Sequence, residues 1–331
     1  MQDLFRGLVG TVFYLLPSIT HDVVIHGREN LSDHHPTIVI SNHKRDLDSL
    51  VLVGIIYTSR GFAHPNREMV FALREDAFWE GFVGSYVGRF PLKLTVKPHL
   101  QLLKAYPMGM LRSRRDRARI RAQLDRLAGL LDRGRDLYWT PEGGLALDGR
   151  LDRFRAGLYR LIQTTHAPLR LLPVAIFYDF TTTTRTRCFI RLGSEILIDR
   201  SLSRAEIERQ ARQAILRQMT INAGHLLVAV LRRHSLETYF SQADLEQAVL
   251  EEALRLDGGG LALDGRLSMR WSFRWRLRRL LGYAAREHIL QRSNAGWSVQ
   301  LGLNHPQMQY VLNELDDAER TLGLKAPGLA P

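Results

Sequence analysis

"PTIVISNHKRDLDSLVLVGIIY", residues 36–57, is the stretch from which the fold can be read. Its opening run, Pro36 to Ser41, is β-branched and apolar without polar alternation, the pattern of a short strand buried on both faces. A polar turn follows, and an apolar helical stretch, "SLVLVGIIY", continues from it. In sheets built this way, ligands bind outside the carboxyl ends of the strands, which is where this turn falls. His43 and Asp48 stand on it with four residues between them. The spacing alone does not mark chemistry. A chain with twelve His is expected to contain about one such pair by chance, and a His in a polar loop is ordinarily solvated or a local cap.

Further strands are expected at "MVFAL" (69–73), "DLYWT" (136–140), "LRLLPVAIFY" (169–178) and "RCFIRL" (187–192). Helical patterns lie between them. "REDAFWEGFVGSYV" follows the second strand, and Ile120, Leu124, Leu127 and Leu131 recur at helical spacing within a segment that holds nine Arg from Arg112 to Arg135. This alternation predicts an α/β fold with a central, mostly parallel sheet flanked by helices. Past residue 200, "SRAEIERQARQAILRQM", "INAGHLLVAVL" and "SQADLEQAVLEEALRL" carry helical periodicity and Ser caps without a strand signal, which predicts an all-helical carboxy-terminal extension. The expected division is 1–20, 21–200 and 201–331.

The chain has 331 residues, 45% of them hydrophobic, enough for a large domain and an accessory one. Its single cysteine, Cys188, excludes an internal disulfide framework and points to a reducing compartment. A net charge of +12 implies an anionic partner: nucleic acid, phospholipid or an acidic carrier protein. "LFRGLVGTVFYLLPSI" (4–19) is too short to span a bilayer, for which about 20 apolar residues are needed. It shows no small-residue cleavage site for a signal peptide. A helix packed on the domain and a helix lying on a membrane surface both fit it.

Two more polar segments are expected at the same sheet edge. "DLYWT" runs into "PEGGLALDGRLDRFRAGL", in which Pro141, Glu142, Gly143 and Gly144 form a turn that exposes a carboxylate and backbone amides. "GRFPLKL" (88–94) brings Arg89 and Lys93, with Arg74 a further cation. Taken in order, "NHKRDLD", "GRFPLKL", "TPEGGLALDGRLDRFRAGL" and "LLPVAI" resemble the four signature blocks of the glycerophospholipid acyltransferase family, which includes lysophosphatidate and glycerol-3-phosphate acyltransferases. The resemblance covers 36 to about 199. It extends in the third block to the Asp148-Gly149 turn, Phe154 and Gly157.

The resemblance implies acyl transfer from acyl-CoA or acyl carrier protein to a lysophosphatidate-type hydroxyl at the cytoplasmic face of a membrane, with no cofactor and no metal; the alternatives are glycerol-3-phosphate or another lipid acceptor and, outside the class, an inactive basic protein that binds membrane or nucleic acid. His43 is the candidate base, because a neutral imidazole suits that task near neutral pH, and Asp48 would hold its other ring N–H. No nucleophile of the protein is required, so Cys188 reads as a small buried residue. Glu142 would position the acceptor or structure its turn, and Gly143 and Gly144 would let backbone approach phosphate. Where family members carry an Arg at the end of the second block this chain has Leu94, so Arg89 and Lys93 are the candidate phosphate ligands. Pro173 matches a family Pro that lines the acyl end of the site; core packing is its ordinary reading.

In the extension, "RWSFRWRLRRL" (270–280) interleaves five Arg with Trp271, Phe273 and Trp275. Such a stretch suits an interfacial membrane helix or a packed helix with a solvated Arg face. Single-stranded nucleic acid is a rival partner, but no recognition motif accompanies the patch, and lipid is the expected partner. The nonapeptide "GGLALDGRL" occurs at 143–151 and again at 259–267, where no Pro-Glu precedes it and a linker turn is expected.

Overall fold

A computed structural model describes residues 21–31, 36–45, 69–74, 105–108, 114–181 and 185–324 apart from 235, 237, 269 and 295, together with single positions within 11–18 and 48–56. Apart from Arg74, the expected helix over 74–87 lies outside the described residues, as do the second block, with Arg89 and Lys93, and most of the 4–19 segment.

Among the described residues, eight strands form one sheet: β1 (His21–His26), β2 (Thr37–Ser41), β3 (Met69–Arg74), β4 (Ala105–Met108), β5 (Asp136–Trp139), β6 (Arg170–Asp179), β7 (Thr186–Leu192) and β8 (Ile196–Leu197). The order is β1-β7-β6-β2-β5-β3-β4, with β8 also on β6. From β6 to β4 the neighbours are parallel, whereas β7 and β8 run antiparallel to β6, and β1 is parallel to β7. The sheet is covered on both faces, as the unalternated strands predict. Ile38 and Ile40 join one apolar cluster, while Val39 joins the other with Val51, Leu52 and Ile55 from the stretch after the opening turn. Pro173 is buried in β6, in register with Ile40. It falls between the residues of β6 that pair with β8 and those that pair with β7, so its missing N–H costs little there.

Helix α1 (Arg114–Asp132) turns Leu124, Leu127 and Leu131 to the core and leaves Arg117, Arg119, Arg121 and Arg126 in solvent. Gly134, at φ 73°, follows its end. Helix α2 (Ala156–Thr164) lies close on β5, and a Cβ at Gly157 would stand 2.7 Å from the Trp139 ring. Both helices contribute to the cluster that contains Ile38 and Ile40.

The carboxy-terminal region is helical as expected, with α3 (Arg204–Arg217), α4 (Ala223–Leu231), α5 (Gln242–Gly258), α6 (Gly265–Ser268), α7 (Arg270–Arg286) and α8 (Pro306–Leu322). It is not all-helical. The short strands β9 (Thr220–Ile221) and β11 (Ala262–Leu263) pair in parallel, and β10 (Tyr239–Phe240), β12 (Leu290–Arg292) and β13 (Trp297–Val299) make a small antiparallel sheet. Strands of two or three residues carry no period to read. The Ser203 cap of α3 is a full capping box with Glu206, and Ser241 caps α5. Every residue of α4 is buried. One continuous apolar cluster runs from Ile38 and Trp139 through α3 and α4 to Leu315 and Ala318 of α8.

Helix α7 packs through Phe273, Leu277 and Leu280. Arg276, in the middle of its Arg-rich run, is 1% exposed. It donates to Asp179 and to the Thr181 hydroxyl at the end of β6. Arg274, Trp275 and Arg278 face solvent. The two copies of GGLALDGRL share only an Asx turn, in which Arg150 N donates to Asp148 Oδ1 at 3.0 Å and Arg266 N to Asp264 Oδ1 at 3.1 Å. The first copy is otherwise loop, and the second forms β11 and the start of α6. Identical residues therefore take different structure because different neighbours bond them.

Candidate active site

At the carboxyl end of β2 the chain changes direction through Asn42. This side chain is buried and pairs with β6 as a strand residue would: Nδ2 donates to Ile176 O and Oδ1 accepts Ile176 N–H, both at 2.7 Å. The ladder is thereby continued by a side chain, and the backbone is free to turn outward at His43.

His43 is gripped by its own backbone from the third block. Its N–H donates to Glu142 Oε1 at 2.8 Å, and its C=O accepts Ala146 N–H at 2.8 Å. On the ring, Nδ1 lies 3.3 Å from Asp48 Oδ2. Asp48 is fully buried, and the same oxygen accepts the backbone N–H groups of Lys44 at 2.6 Å and Arg45 at 2.8 Å. Its other oxygen accepts the Tyr178 hydroxyl. With the Lys44 and Arg45 N–H groups and the Tyr178 hydroxyl donating to it, the carboxylate is held as an acceptor, so Nδ1 carries the proton and Nε2 presents its lone pair. Nε2 has no partner among the described residues, and the side chain is 17% exposed.

Glu142 is a clamp between loops. Oε1 takes the His43 N–H, Oε2 takes the Asp152 N–H at 2.8 Å, and Arg155 Nε donates to its backbone C=O at 3.3 Å. Both oxygens are thus committed to backbone, which favours turn-building over direct contact with an acceptor. Burial pushes the carboxyl up to about 7, against the lowering effect of the Asp152 N–H and the nearby Lys44 charge. Because the folded value is raised above the usual 4.5, the group's stabilising contribution is full below that value and is lost as pH rises through about 7. Relative to Glu142→Gln, the wild-type unfolding free energy should fall by about 1–3 kcal/mol between pH 4.5 and 7. Urea titrations at the two pH values check this, and a pH-independent difference would contradict it.

Gly143 takes φ 70°, and its N–H is used within the turn, on Thr140 O at 3.1 Å; Gly144 follows, half-buried. Pro173 is a packed strand residue whose C=O accepts Gly193 N–H at 2.8 Å. Arg74 ends β3, also at a carboxyl end. Thus the structure brings His43, Asp48, Glu142, Gly143 and Gly144 together and leaves Pro173 in the sheet. Cys188 is fully buried in β7, and its thiol is pushed far up by burial and by Asp48. Sequence reasoning missed Asn42 and Tyr178. A Tyr at the end of the strand beside the motif strand was the available signal for the second. Among the described residues no group of His, Cys, Asp and Glu could hold a metal ion.

Compared with known proteins, residues 22–177 match the family model described as Acyltransferase. The match takes in just under half of the chain, the half that carries the His43 turn and the Glu142 loop. The chain is also similar to the crystal structure of the 1-acyl-sn-glycerophosphate (LPA) acyltransferase, PlsC, from Thermotoga maritima, at 17% identity and a TM-score of 0.43, covering 64% of this chain and 76% of that one. No curated protein sequence matches it. The matched segment runs from β1 into β6 and includes the His43 turn and the Glu142 loop, while β7 and the carboxy-terminal helices lie outside it.

Proposed function

We propose that the chain is a peripheral membrane O-acyltransferase that moves a fatty acyl group from acyl-CoA or acyl carrier protein to the hydroxyl of a lysophosphatidate-type acceptor in phospholipid synthesis. The observation that carries this reading is His43, with Nδ1 fixed on Asp48 and Nε2 unpartnered among the described residues at the carboxyl edge of the sheet. Nε2 removes the acceptor's hydroxyl proton as the oxygen attacks the thioester carbonyl; the C–O bond forms, the C–S bond breaks, and the imidazolium returns the proton to the leaving thiolate. Asp48 stabilises the imidazolium in between. Transfer is direct, and Cys188 is too buried, with too basic a thiolate, to carry the acyl chain.

For an anionic acceptor, the proposed cations are Arg89 and Lys93 of the second block. Arg45 is a further one beside His43: its guanidinium lies 4.7 and 4.5 Å from the Tyr178 and Phe180 ring centroids and makes no ion pair among the described residues. Leu147, on the Glu142 loop, is 83% exposed, and the exposed Trp275 ring carries the Arg279 guanidinium 4.4 Å from its centroid. With the net charge of +12, these features suit contact with an anionic lipid surface. Among the described residues no helix is long and apolar enough to cross a membrane.

Purified protein given labelled acyl-CoA or acyl carrier protein with lysophosphatidate, glycerol-3-phosphate and a phosphate-free lipid alcohol in parallel should favour lysophosphatidate. Lys93→Ala and Arg89→Ala should each raise its KM by roughly tenfold, as loss of a charged hydrogen bond to phosphate would. Best turnover of the phosphate-free alcohol, unchanged in both variants, would contradict the phosphate site.

A further inference from the structure

Lys44 follows the base, and its side chain has no part in the steps above. It is buried. Its ammonium donates to Gly149 O, lies 3.5 Å from Glu314 Oε1, and is faced by the rings of Phe177 and Tyr310, each centroid 5.6 Å away. Glu314 belongs to α8, outside the family segment, and its second oxygen lies 3.2 Å from Nε2 of the buried His225 in α4. His225 Nδ1 accepts Asn222 N–H at 3.1 Å, so the ring proton is on Nε2 and is donated to Glu314. Asn222 Nδ2 in turn donates to Tyr178 O at 3.2 Å. Tyr178 holds Asp48, and Asp48 accepts the Lys44 N–H, so the chain of bonds closes on itself.

The Glu142 loop rests on the same helix. Gly149 takes φ 92°, and a Cβ there would stand 2.3 Å from Tyr310 O. Asn313 Nδ2 donates to Asp148 O at 2.9 Å, and Asp317 Oδ2 accepts Leu151 N–H at 3.0 Å. Both loops that build the site are therefore seated on α8.

We propose that Glu314, supported by His225, is a positioning residue for acyl transfer: it anchors the buried Lys44 ammonium to α8 and so fixes the 43–45 backbone that orients Asp48 and His43. The carboxy-terminal helices are then part of the working site. This inference rests on the acyl-transfer reading of His43, and the test separates the two.

Glu314→Gln, Lys44→Met and the double variant Lys44→Met/Glu314→Leu are compared with wild type by steady-state kinetics, by thermal unfolding and by NMR of the 15N-labelled His43 imidazole. Folded Glu314→Gln and Lys44→Met should each lose at least about tenfold in kcat, with KM for donor and acceptor within about twofold, because orientation of the base acts in the transition state rather than on binding. The double variant should be no worse than Lys44→Met alone, since a coupled pair is lost only once. If Glu314→Gln does not fold, the double variant takes its place, because it leaves no unpaired buried Lys. Wild-type kcat in a folded Glu314→Gln or double variant would overturn the proposal, as a merely structural role lowers the unfolding temperature and spares kcat. If the wild-type protein transfers no acyl group, the proposed function fails. The imidazole resonances then decide the positioning role: a shift in the double variant supports it, and unchanged resonances overturn it.

Discussion

His43→Ala is expected to lower turnover by about three orders of magnitude while the protein stays folded. General-base assistance alone is worth about 10²–10⁴-fold, and no second described side chain stands ready to replace it. Tyr178 already donates to Asp48, and its hydroxyl is shifted well above its ordinary value by burial. Glu142 is occupied on both oxygens by backbone N–H groups. The fold should survive because the bonds that hold position 43 are made by its backbone, to Glu142 and Ala146, and alanine keeps them. Thermal unfolding within a few degrees of wild type, together with the lost turnover, is the expected pair of results.

Asp48→Asn has the next largest expected effect, about 10²–10⁴-fold in kcat. An asparagine can place its amide oxygen where Oδ2 now takes the Lys44 and Arg45 N–H groups, and its NH₂ toward the Tyr178 hydroxyl, which can accept. The turn can therefore form. What disappears is the negative charge beside Nδ1, which stabilises the imidazolium while the proton is held. The loss should fall on kcat, with KM nearly unchanged. A variant with near-wild-type kcat would show that the charge of Asp48 is not used.

The sheet was legible where strands are buried on both faces, because "TIVIS", "MVFAL" and "LLPVAIFY" leave no other place for so many apolar residues in a row. β1, "HDVVIH", was missed because its polar ends read as the boundary of the apolar segment before it, and β4, "AYPM", because four residues including a Pro carry no period. The His43 and Asp48 turn could be read from its place after a strand. The function of Glu142 could not, since its two partners are backbone N–H groups, one of them 99 residues away in the chain. Arg276 shows the same limit: among the Arg of α7 it has the composition of a solvated face, and only the packing of α7 on the end of β6 makes it the buried partner of Asp179.

A single-turnover mixture of purified protein, labelled acyl-CoA and lysophosphatidate, read by mass spectrometry of both lipid and protein, tests direct His43-assisted transfer most closely. The predicted result is label in the diacyl product only when acceptor is present, none on the polypeptide, and at least about a thousandfold slower product formation by His43→Ala. Label retained on the protein, or equal product from His43→Ala, would contradict it.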